Sequence, residues 1–209
     1  LMSEIKKKIC IIDYGSGNIG SVSNVLNKLN LNYCVSNSIE DFKNSSHFIL
    51  PGVGSFGSAM KKLNQSIDID KLEYEILNNK KPILGICVGM QLMAEFGYEF
   101  GKSKGLGWIK GNVEIIKTSG LILPHIGWNS VKVKKNNSLL NNEEKNKDFY
   151  FVHSYYFDIE NNDQIIATTE YGMNFPSIIS FKNIYGVQFH PEKSQKPGKK
   201  LIFDFINSN

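Results

Sequence analysis

The sequence contains no arginine: its 24 basic residues are all lysines, and with 20 acidic residues they leave a net charge of +4. Arginine recognises guanine and phosphate through paired hydrogen bonds, so its absence removes the main tool of specific nucleic-acid recognition. The lysines are scattered, with short clusters at Lys6–Lys8 and Lys132–Lys135, and they do not alternate with aromatic residues. We therefore expect a mildly basic, solvated surface and no nucleic-acid partner.

Cysteine is also scarce, and Cys10, Cys34 and Cys87 lie far apart in the sequence. An odd, widely spaced set predicts neither a disulfide framework nor a metal site. Long hydrophobic runs are missing as well, because no apolar segment approaches the roughly 20 residues of a membrane-spanning helix. The apolar run after Lys6–Lys8 ends at Asp13, too early for the core of a signal peptide. The sequence thus predicts a cytoplasmic protein without a membrane partner.

The chain does contain an alternation of short strand patterns and helical patterns. In the first half, apolar strands are followed by segments with apolar residues at helical spacing, which is typical of a parallel sheet covered on both faces. After Gly101 the segments are strand-like and are separated by Gly, Asn and Pro. The predicted helices cover Asn18–Leu29, Ser58–Asn64, Asp70–Asn79, Met90–Phe96 and Lys199–Ile206.

These patterns predict the α/β class, with a mostly parallel central sheet and added antiparallel strands in the C-terminal half. A chain of 209 residues is long enough for one sizeable core. We therefore predict a single domain over residues 1–209, in which residues 1–8 form a flexible or cloning-derived start.

The segment Gly15–Gly20 matches the G-x-G-x-x-G pattern of dinucleotide-binding proteins and follows the first apolar strand. A dinucleotide fold also needs an acidic residue at the end of its second strand, about 20 residues later, to bind the ribose. Here that strand ends near Asn37, and Glu40 and Asp41 follow as the predicted start of a short helix. We therefore expect these glycines to shape a loop at the carboxyl edge of the sheet, and we expect no cofactor.

The segment Leu84–Gln91 reads LGICVGMQ and places Cys87 between Gly85 and Gly89, where a strand pattern meets a helix. This is the nucleophile-elbow pattern with cysteine at the serine position. The glycines permit close backbone approach at a sharp turn, and the helix N-terminus favours a thiolate and can hold an oxyanion. We predict that Cys87 is a nucleophile, whereas the other two cysteines lie in strand patterns and belong to the core.

A nucleophilic thiol needs a base, and His190 is the best placed of the four histidines because it lies in GVQFHPEKS. Pro191 holds His190 extended, and residues i and i+2 of an extended segment point the same way. Glu192 can therefore accept a hydrogen bond from one ring nitrogen and leave the other for the thiol. Another glycine-rich segment, Pro51–Gly54, predicts backbone N–H groups that complete an oxyanion site with the N–H of Val88.

Together these motifs resemble those of the class I (triad) glutamine amidotransferases. Within that family, the segments PGVGSF, PHIGWN and FVHSY are similar to those of the glutaminase subunits of imidazole glycerol phosphate synthases, and the likeness runs from about Ile9 to Phe205. The resemblance implies a three-layer α/β fold and hydrolysis of L-glutamine to glutamate and ammonia. It also implies a heterodimer with a cyclase subunit, which uses the ammonia in histidine biosynthesis.

The resemblance further implies roles for individual residues. Cys87 is then the nucleophile, His190 the acid and base, and Glu192 the orienting carboxylate. The implied oxyanion donors are Val53, Gly54 and Val88; the implied glutamine-binding residues are Gly52, Gln91, Glu99, Tyr150, His153 and Ser154; the implied cyclase-facing residues are Trp128, Asn129 and Lys193.

Three alternative functions remain open from the sequence. A paralogous glutaminase of the same fold would feed ammonia to another synthase, for example one that amidates a surface sugar. A stand-alone thiol hydrolase would act on esters without a partner. A non-catalytic module would bind a nucleotide through Gly15–Gly20 and would be indifferent to replacement of Cys87.

Overall fold

The computed structural model describes residues 7–118, 120–139 and 147–207, and within these ranges the chain forms thirteen strands. The strands are two to nine residues long. The strands are β1 Ile9–Ile12, β2 Tyr33–Ser36, β3 His47–Gly52, β4 Ile83–Cys87, β5 Phe96–Gly97, β6 Ser103–Lys104, β7 Gly111–Ile115, β8 His125–Val133, β9 Lys147–His153, β10 Tyr155–Ile159, β11 Ile165–Glu170, β12 Asn174–Phe181 and β13 Ile184–Val187.

Six α-helices lie between or after the strands in the described part of the chain. They are α1 Ile19–Lys28, α2 Ile39–Asn44, α3 Phe56–Ser66, α4 Ile69–Glu73, α5 Val88–Gln91 and α6 Gln195–Asn207. A π-helical turn, Tyr74–Asn78, continues α4, and two 3₁₀ turns cover Asn162–Gln164 and Pro191–Lys193. None of the described helices is long and apolar enough to span a bilayer.

The central sheet has nine strands in the order β2-β1-β3-β4-β13-β12-β11-β8-β9. Neighbouring strands from β2 to β13 are parallel, and those from β13 to β9 are antiparallel. Strands β1, β3, β4 and β13 are completely buried, which explains their largely apolar sequences. The predicted α/β class is confirmed, and the central sheet is mixed, with four parallel pairs and four antiparallel pairs; the strands that join it in antiparallel order come from the C-terminal half. A second sheet, β10-β7-β5-β6, stands beside the first.

Helices cover both faces of the central sheet, which gives three layers. Successive strand residues point to opposite faces. On β13, Tyr185 contacts Phe205 of α6, whereas the next residue, Gly186, lies directly under Met90 of α5. Because β3, β4 and β13 are parallel neighbours, their carboxyl ends lie at the same edge of the sheet, between these two helix layers.

The helix predicted over Met90–Phe96 is wrong in its bounds. Helix α5 starts directly after Cys87 and ends at Gln91, and Phe96 already belongs to a strand. The carbonyl groups of Leu92 and Ala94 accept hydrogen bonds from the distant N–H groups of Leu106 and Gly107. These two carbonyl groups are thus paired with distant residues and not within a helix. The spacing of apolar residues along the sequence gives no signal of such tertiary hydrogen bonds.

The predicted short helix at Glu40 and Asp41 is confirmed, since Ser38 caps α2 by accepting a hydrogen bond from the N–H of Asp41. Asp41 forms an ion pair of 2.8 Å with Lys8. The carbonyl of Lys8 also accepts a hydrogen bond from the N–H of Ser46, so Lys8 belongs to the folded body. Residues 1–6 of the expected flexible start lie outside the described residues.

Candidate active site

Cys87 occupies a strained turn between β4 and α5. Its backbone has φ +53° and ψ −113°, a conformation that costs a residue with a side chain about 1–3 kcal/mol. The turn is tight because Gly89 packs onto the carbonyl group of Leu50 on β3, and a methyl group at Gly89 would collide with that oxygen. The sulfur is thereby presented at the start of α5, where unpaired backbone N–H groups favour negative charge.

His190 and Glu192 form the second part of the site. His190 Nδ1 and Glu192 Oε1 are 2.8 Å apart, and the two side chains are almost completely buried. Strand β13 lies next to β4, with Val187 opposite Ile86, so the chain that leaves β13 passes beside Cys87. His190 Nε2 is buried and has no hydrogen-bond partner among the described residues, which leaves this nitrogen available to a bound substrate.

The charge state of His190 follows from its surroundings. Burial alone would lower its pKa, but the neighbouring Cys87 sulfur and the Glu192 carboxylate favour the charged ring and raise the pKa to about 10. The imidazole is therefore protonated at neutral pH when the sulfur beside it is a thiolate. A thiolate–imidazolium pair of this kind combines a nucleophile with a proton donor.

Cys87 and His190 line the same cavity, whose volume is about 80 Å³. This is well below the roughly 300–1,000 Å³ of most sites for drug-sized ligands and cofactors, and it suits a small, extended substrate. The other residues that line the cavity are Val53, Gly54, Val88, Gln91, Glu99, Val152, His153, Ser154 and Tyr155.

The loop after β3 forms one wall of this cavity. Gly52 pairs with Cys87 across β3 and β4, so Val53 and Gly54 follow directly beside the sulfur. Gly54 has φ +85°, in the left-handed region that favours glycine. The Tyr14 hydroxyl fixes the start of this loop, because it donates a hydrogen bond of 2.8 Å to the Pro51 carbonyl oxygen.

Two polar side chains, those of Gln91 and Glu99, also line the cavity. Gln91 is 2% exposed, and its Nε2 donates to the carbonyl oxygen of Tyr155 at 2.9 Å and to Gln188 Oε1 at 3.1 Å. Glu99 Oε2 accepts a hydrogen bond of 2.8 Å from the N–H of Phe56 at the start of α3, where a carboxylate is favoured. A rigid amide and a fixed carboxylate therefore face the small cavity together.

His153 is a buried, neutral member of a chain of hydrogen bonds. Its Nδ1 lies 2.8 Å from the Tyr155 carbonyl oxygen and its Nε2 lies 3.2 Å from His125 Nδ1, while Asn129 Nδ2 lies 3.2 Å from His125 Nε2. Burial lowers the pKa of His125 to about 4 and the pKa of His153 to about 3. This series of hydrogen bonds therefore connects strand β8 to the cavity wall, and its two histidines are uncharged at neutral pH.

Not every predicted site residue lines the cavity. Gly52 lies behind the Cys87 turn, packed against Val88, and does not reach the cavity surface. Tyr150 points to the outer face of β9, where it packs edge-on against Trp128, and Lys193 Nζ lies 5.8 Å from its ring centre. Asn129 was predicted to face the cyclase together with Trp128, but the two side chains lie on opposite faces of β8, because successive strand residues alternate. The Asn129 amide also donates to the carbonyl oxygen of Glu170.

Sequence reasoning missed several residues that contact the site. Gln188 is fully buried, and its Nε2 lies 3.8 Å from the Cys87 sulfur. The carbonyl oxygen of Val152 lies at the same distance from that sulfur. Gln188 lies in the GVQFHPEKS motif, two positions before His190 and directly after β13, and this proximity in sequence is the signal that could have indicated it. The contacts of Val152 and of His125 depend on strand pairing, which the sequence alone does not give.

Two residues of the glycine-rich segment Gly15–Gly20, Ser16 and Gly17, contact the loop after β3. Gly17 has φ +110°, and a Cβ added there would lie 2.9 Å from the Pro51 side chain. Asp41, an acidic residue downstream of the fingerprint, is already paired with Lys8. In residues 7–118, 120–139 and 147–207, no group of three or more His, Cys, Asp or Glu side chains has the arrangement of a metal site.

A strained cysteine turn beside a buried histidine–carboxylate pair is the arrangement of an enzyme that transfers acyl groups through a thiol, and the comparisons with known proteins identify its class. The family model described as "Glutamine amidotransferase class-I" matches residues 10–208. A solved "glutamine amidotransferase" superposes with a TM-score of 0.73 at 15% identity, covering 96% of this chain and 99% of that one. PurLQS from Thermotoga maritima gives a TM-score of 0.73 at 17% identity, covering 98% and 99%. At these identities the two structures establish the fold alone.

Curated relatives narrow the class further. "Imidazole glycerol phosphate synthase subunit HisH" of Leptospira borgpetersenii is 46% identical over 203 residues, covering 95% of this chain and 99% of the relative. "Imidazole glycerol phosphate synthase subunit HisH 2" of Methanococcus maripaludis is 46% identical over 199 residues, covering 95% and 98%. The chain therefore belongs to the class-I glutamine amidotransferases and, within them, to the family of HisH subunits of imidazole glycerol phosphate synthase.

Proposed function

We propose that this protein hydrolyses L-glutamine to glutamate and ammonia and delivers the ammonia to a cyclase subunit with which it forms a heterodimer. The cyclase then uses the ammonia to make imidazole glycerol phosphate and aminoimidazole carboxamide ribotide in histidine biosynthesis. One observation carries this proposal: Cys87, at φ +53°, shares a cavity of about 80 Å³ with His190, whose Nδ1 is 2.8 Å from Glu192.

The first chemical step is attack of the Cys87 thiolate on the side-chain amide carbon of glutamine. A carbon–sulfur bond forms, and the carbonyl electron pair moves to the oxygen. When the tetrahedral intermediate collapses, the carbon–nitrogen bond breaks, and His190 Nε2 gives its proton to the departing nitrogen. Ammonia leaves, and a glutamyl thioester remains on Cys87.

The second step regenerates the enzyme. His190, now neutral, removes a proton from a water molecule, which attacks the thioester carbon. The carbon–sulfur bond breaks, the Cys87 thiolate returns, and glutamate leaves. Glu192 holds Nδ1 in both steps, so the ring keeps its orientation and its positive charge is balanced when it is protonated.

Backbone N–H groups stabilise the oxyanion of both tetrahedral intermediates. Val88 is the first residue of α5, and its N–H belongs to the unpaired group at the helix start. Val53 and Gly54 line the cavity on the other side of Cys87, so the loop after β3 supplies the second donor. Removal of one such donor typically lowers kcat about 10²–10³-fold, which sets the scale of this contribution.

The amino-acid end of glutamine binds at Gln91 and Glu99, which line the same cavity as Cys87. Glu99 has one oxygen bound to the N–H of Phe56, and its second oxygen is available to the substrate ammonium group. Gln91 uses its Nε2 for internal hydrogen bonds, so its Oε1 is the atom left for the substrate. His153 and Ser154 line the adjoining wall.

The cyclase binds to the outer face of β8 and β9. Ile126 and Trp128 alternate onto this face, where they are 60% and 49% exposed and together form an apolar patch. Val152 pairs with Ile126 on the same face and also lines the cavity. A partner that covers this face therefore lies beside the site where ammonia is released. Such a route matters because free ammonia in water is largely protonated and loses its nucleophilicity.

The test is a glutaminase assay of the purified chain with and without a cyclase subunit and its nucleotide substrate. We expect glutamate release to depend on Cys87 and to rise when the liganded cyclase is present. Cys87→Ser should abolish glutamine-dependent synthesis, while added ammonium still supports synthesis by the cyclase. Full glutamine-dependent activity in the Cys87→Ser variant would contradict the proposal.

The same assay separates the remaining alternatives. A paralogue that serves another synthase would hydrolyse glutamine but give no imidazole product with the cyclase. A stand-alone thiol hydrolase would act on esters at a rate that neither glutamine nor a partner changes.

A further inference from the structure

The carbonyl oxygen of Tyr155 determines the direction of two chains of hydrogen bonds. It accepts from Gln91 Nε2 at 2.9 Å, and His153 Nδ1 lies 2.8 Å from it. A backbone carbonyl can only accept, so both partners must present an N–H group to it. This requirement fixes the amide orientation of Gln91 without any choice between its nitrogen and its oxygen.

The orientation of Gln91 in turn fixes the orientation of Gln188. The second hydrogen on Gln91 Nε2 points to the Gln188 amide at 3.1 Å, so Gln188 must present its Oε1 to Gln91. Its Nε2 then faces the Cys87 sulfur at 3.8 Å, within the distance of a hydrogen bond to sulfur. Gln188 therefore donates a hydrogen bond to the sulfur. The Tyr155 carbonyl oxygen sets the direction of this bond through Gln91.

The backbone also places Gln188 firmly. Val187, the last residue of β13, is paired with Ile86, so Gln188 leaves the strand next to Cys87, the last residue of β4. The N–H of Gln188 donates to the carbonyl oxygen of Ser177 at 3.0 Å, and the residue has no exposed surface. A buried amide with this many fixed contacts cannot turn away from the sulfur without leaving polar groups unpaired.

We propose that Gln188 is a positioning residue that donates an N–H group to the Cys87 sulfur and thereby stabilises the thiolate over the thiol. A thiol can donate its hydrogen to the Val152 carbonyl oxygen at 3.8 Å, whereas a thiolate gains from the Gln188 donor. The inference rests on the proposed function of Cys87 as nucleophile. It goes further, because it assigns part of the thiolate stabilisation to a residue outside the triad.

Other groups also act on the sulfur and must be kept unchanged in the test. His190, with Glu192 behind it, is the nearest charged group. The Tyr14 hydroxyl approaches from the end of β1, and burial raises its pKa, so it stays neutral near pH 7. His153 faces the cavity from β9 and is neutral, while Glu99 carries the carboxylate on the cavity wall.

The experiment compares the wild-type chain with Gln188→Glu and Gln188→Met. Alkylation of Cys87 by iodoacetamide is followed between about pH 4 and pH 10 by peptide mass spectrometry, which separates it from Cys10 and Cys34. Gln65→Glu, on the exposed face of α3, adds the same charge far from the sulfur and serves as the matched control. Circular dichroism confirms that each variant is folded.

We expect the midpoint of the alkylation profile to move upward by about one pH unit in Gln188→Met, a tenfold loss of reactivity below the midpoint. It should move further in Gln188→Glu, where a carboxylate replaces the donor. The Gln65→Glu profile should match the wild type. In the glutaminase assay with the cyclase, kcat should fall by at least the same factor, while KM changes little.

Equal midpoints in the folded variants and the wild type would overturn the inference. If both variants fail to fold, NMR of the wild-type chain provides the test. The side-chain ¹⁵N–H resonances of Gln188 must then shift as the pH is raised through the alkylation midpoint. Constant resonances would overturn the inference as well. Alkylation needs no turnover, so a wild-type chain that reacts normally but releases no glutamate would refute the proposed function and leave this inference standing.

Discussion

The Ser16 hydroxyl donates a hydrogen bond of 2.9 Å to the carbonyl oxygen of Val53. This contact joins the glycine-rich loop after β1 to the loop that forms one wall of the active-site cavity. Gly17 packs on Pro51 of the same wall, with φ +110°. Within the G-x-G-x-x-G pattern, Ser16 and Gly17 therefore make close contacts with the loop beside the cavity that Cys87 and His190 line.

Replacing Gly17 by alanine should disturb the cavity wall. The added Cβ would lie 2.9 Å from Pro51, and the residue would also have to hold a positive φ. We expect a loss of about 1–3 kcal/mol in the free energy of unfolding, measured by urea denaturation, and a lower glutaminase rate. Gly20→Ala, in the same fingerprint, is the matched control. Gly20 lies in α1 with an ordinary φ, and a Cβ added there would meet no other part of the chain within 4 Å.

The two variants should therefore differ in unfolding free energy and in glutaminase rate. Gly20→Ala should keep full activity and gain up to about 1 kcal/mol of stability. Equal behaviour of the two variants, or saturable binding of NAD to the wild-type chain, would contradict the packing role of the loop.

Replacing Glu192 by glutamine should keep the hydrogen bond that orients the His190 ring but remove the negative charge that stabilises the protonated ring. The amide is nearly the same size but carries no charge, so the raised pKa of His190 should fall toward the ordinary value of 6.5. Titration of the His190 ring by ¹⁵N NMR measures this change, and glutaminase kcat should fall at least about 10²-fold. Glu160→Gln removes an exposed carboxylate and is the control. An unchanged His190 titration in Glu192→Gln would rule out this role.

Truncation of Trp128 should weaken association with the cyclase. A large aromatic side chain at the centre of an interface commonly contributes about 2 kcal/mol or more, which corresponds to roughly a 30-fold rise in Kd. Calorimetric titration of Trp128→Ala with the purified cyclase measures the change. Phe203→Ala removes a similarly exposed aromatic, 45% exposed, from α6 and should bind as the wild type does. If Phe203→Ala weakened binding and Trp128→Ala did not, the proposed face would be wrong.

Acid should destabilise the fold through its buried neutral histidines. Burial lowers the pKa of His47 to about 4, with a smaller effect of Lys7, and burial holds the pKa values of His125 and His153 at about 4 and 3. The unfolded chain binds these protons from about pH 6.5 downward, while the folded chain does not. The contribution of these three histidines to stability is thus fully present above about pH 6.5 and falls as the pH decreases toward 4, by up to about 1.4 kcal/mol per pH unit for each histidine.

The variant His47→Leu isolates one of these contributions. Its unfolding free energy should depend less steeply on pH between about 6 and 4.5, by up to about 1.4 kcal/mol per pH unit, whatever its stability at pH 7. Urea denaturation at several pH values measures the slope. Parallel curves for the variant and the wild type would show that His47 is protonated in the folded chain as well.

The sequence by itself determined the elements that depend on local pattern. The buried strands β1, β3 and β4 were predictable from continuous hydrophobic segments, and Cys87 from its glycine frame. His190 and Glu192 followed from the fixed extended backbone around Pro191. These signals are local, because backbone geometry over a few residues decides which side chains share a face.

Only the tertiary structure decided how these segments meet. It ended α5 at Gln91, turned Asn129 inward toward His125, and put Tyr150 outside the cavity beside Trp128. It also placed the Gln188 amide against the Cys87 sulfur through the pairing of β13 with β4. Strand order and register join residues that are about a hundred positions apart, and they are set by packing of the whole core, for which no short stretch of sequence carries a signal.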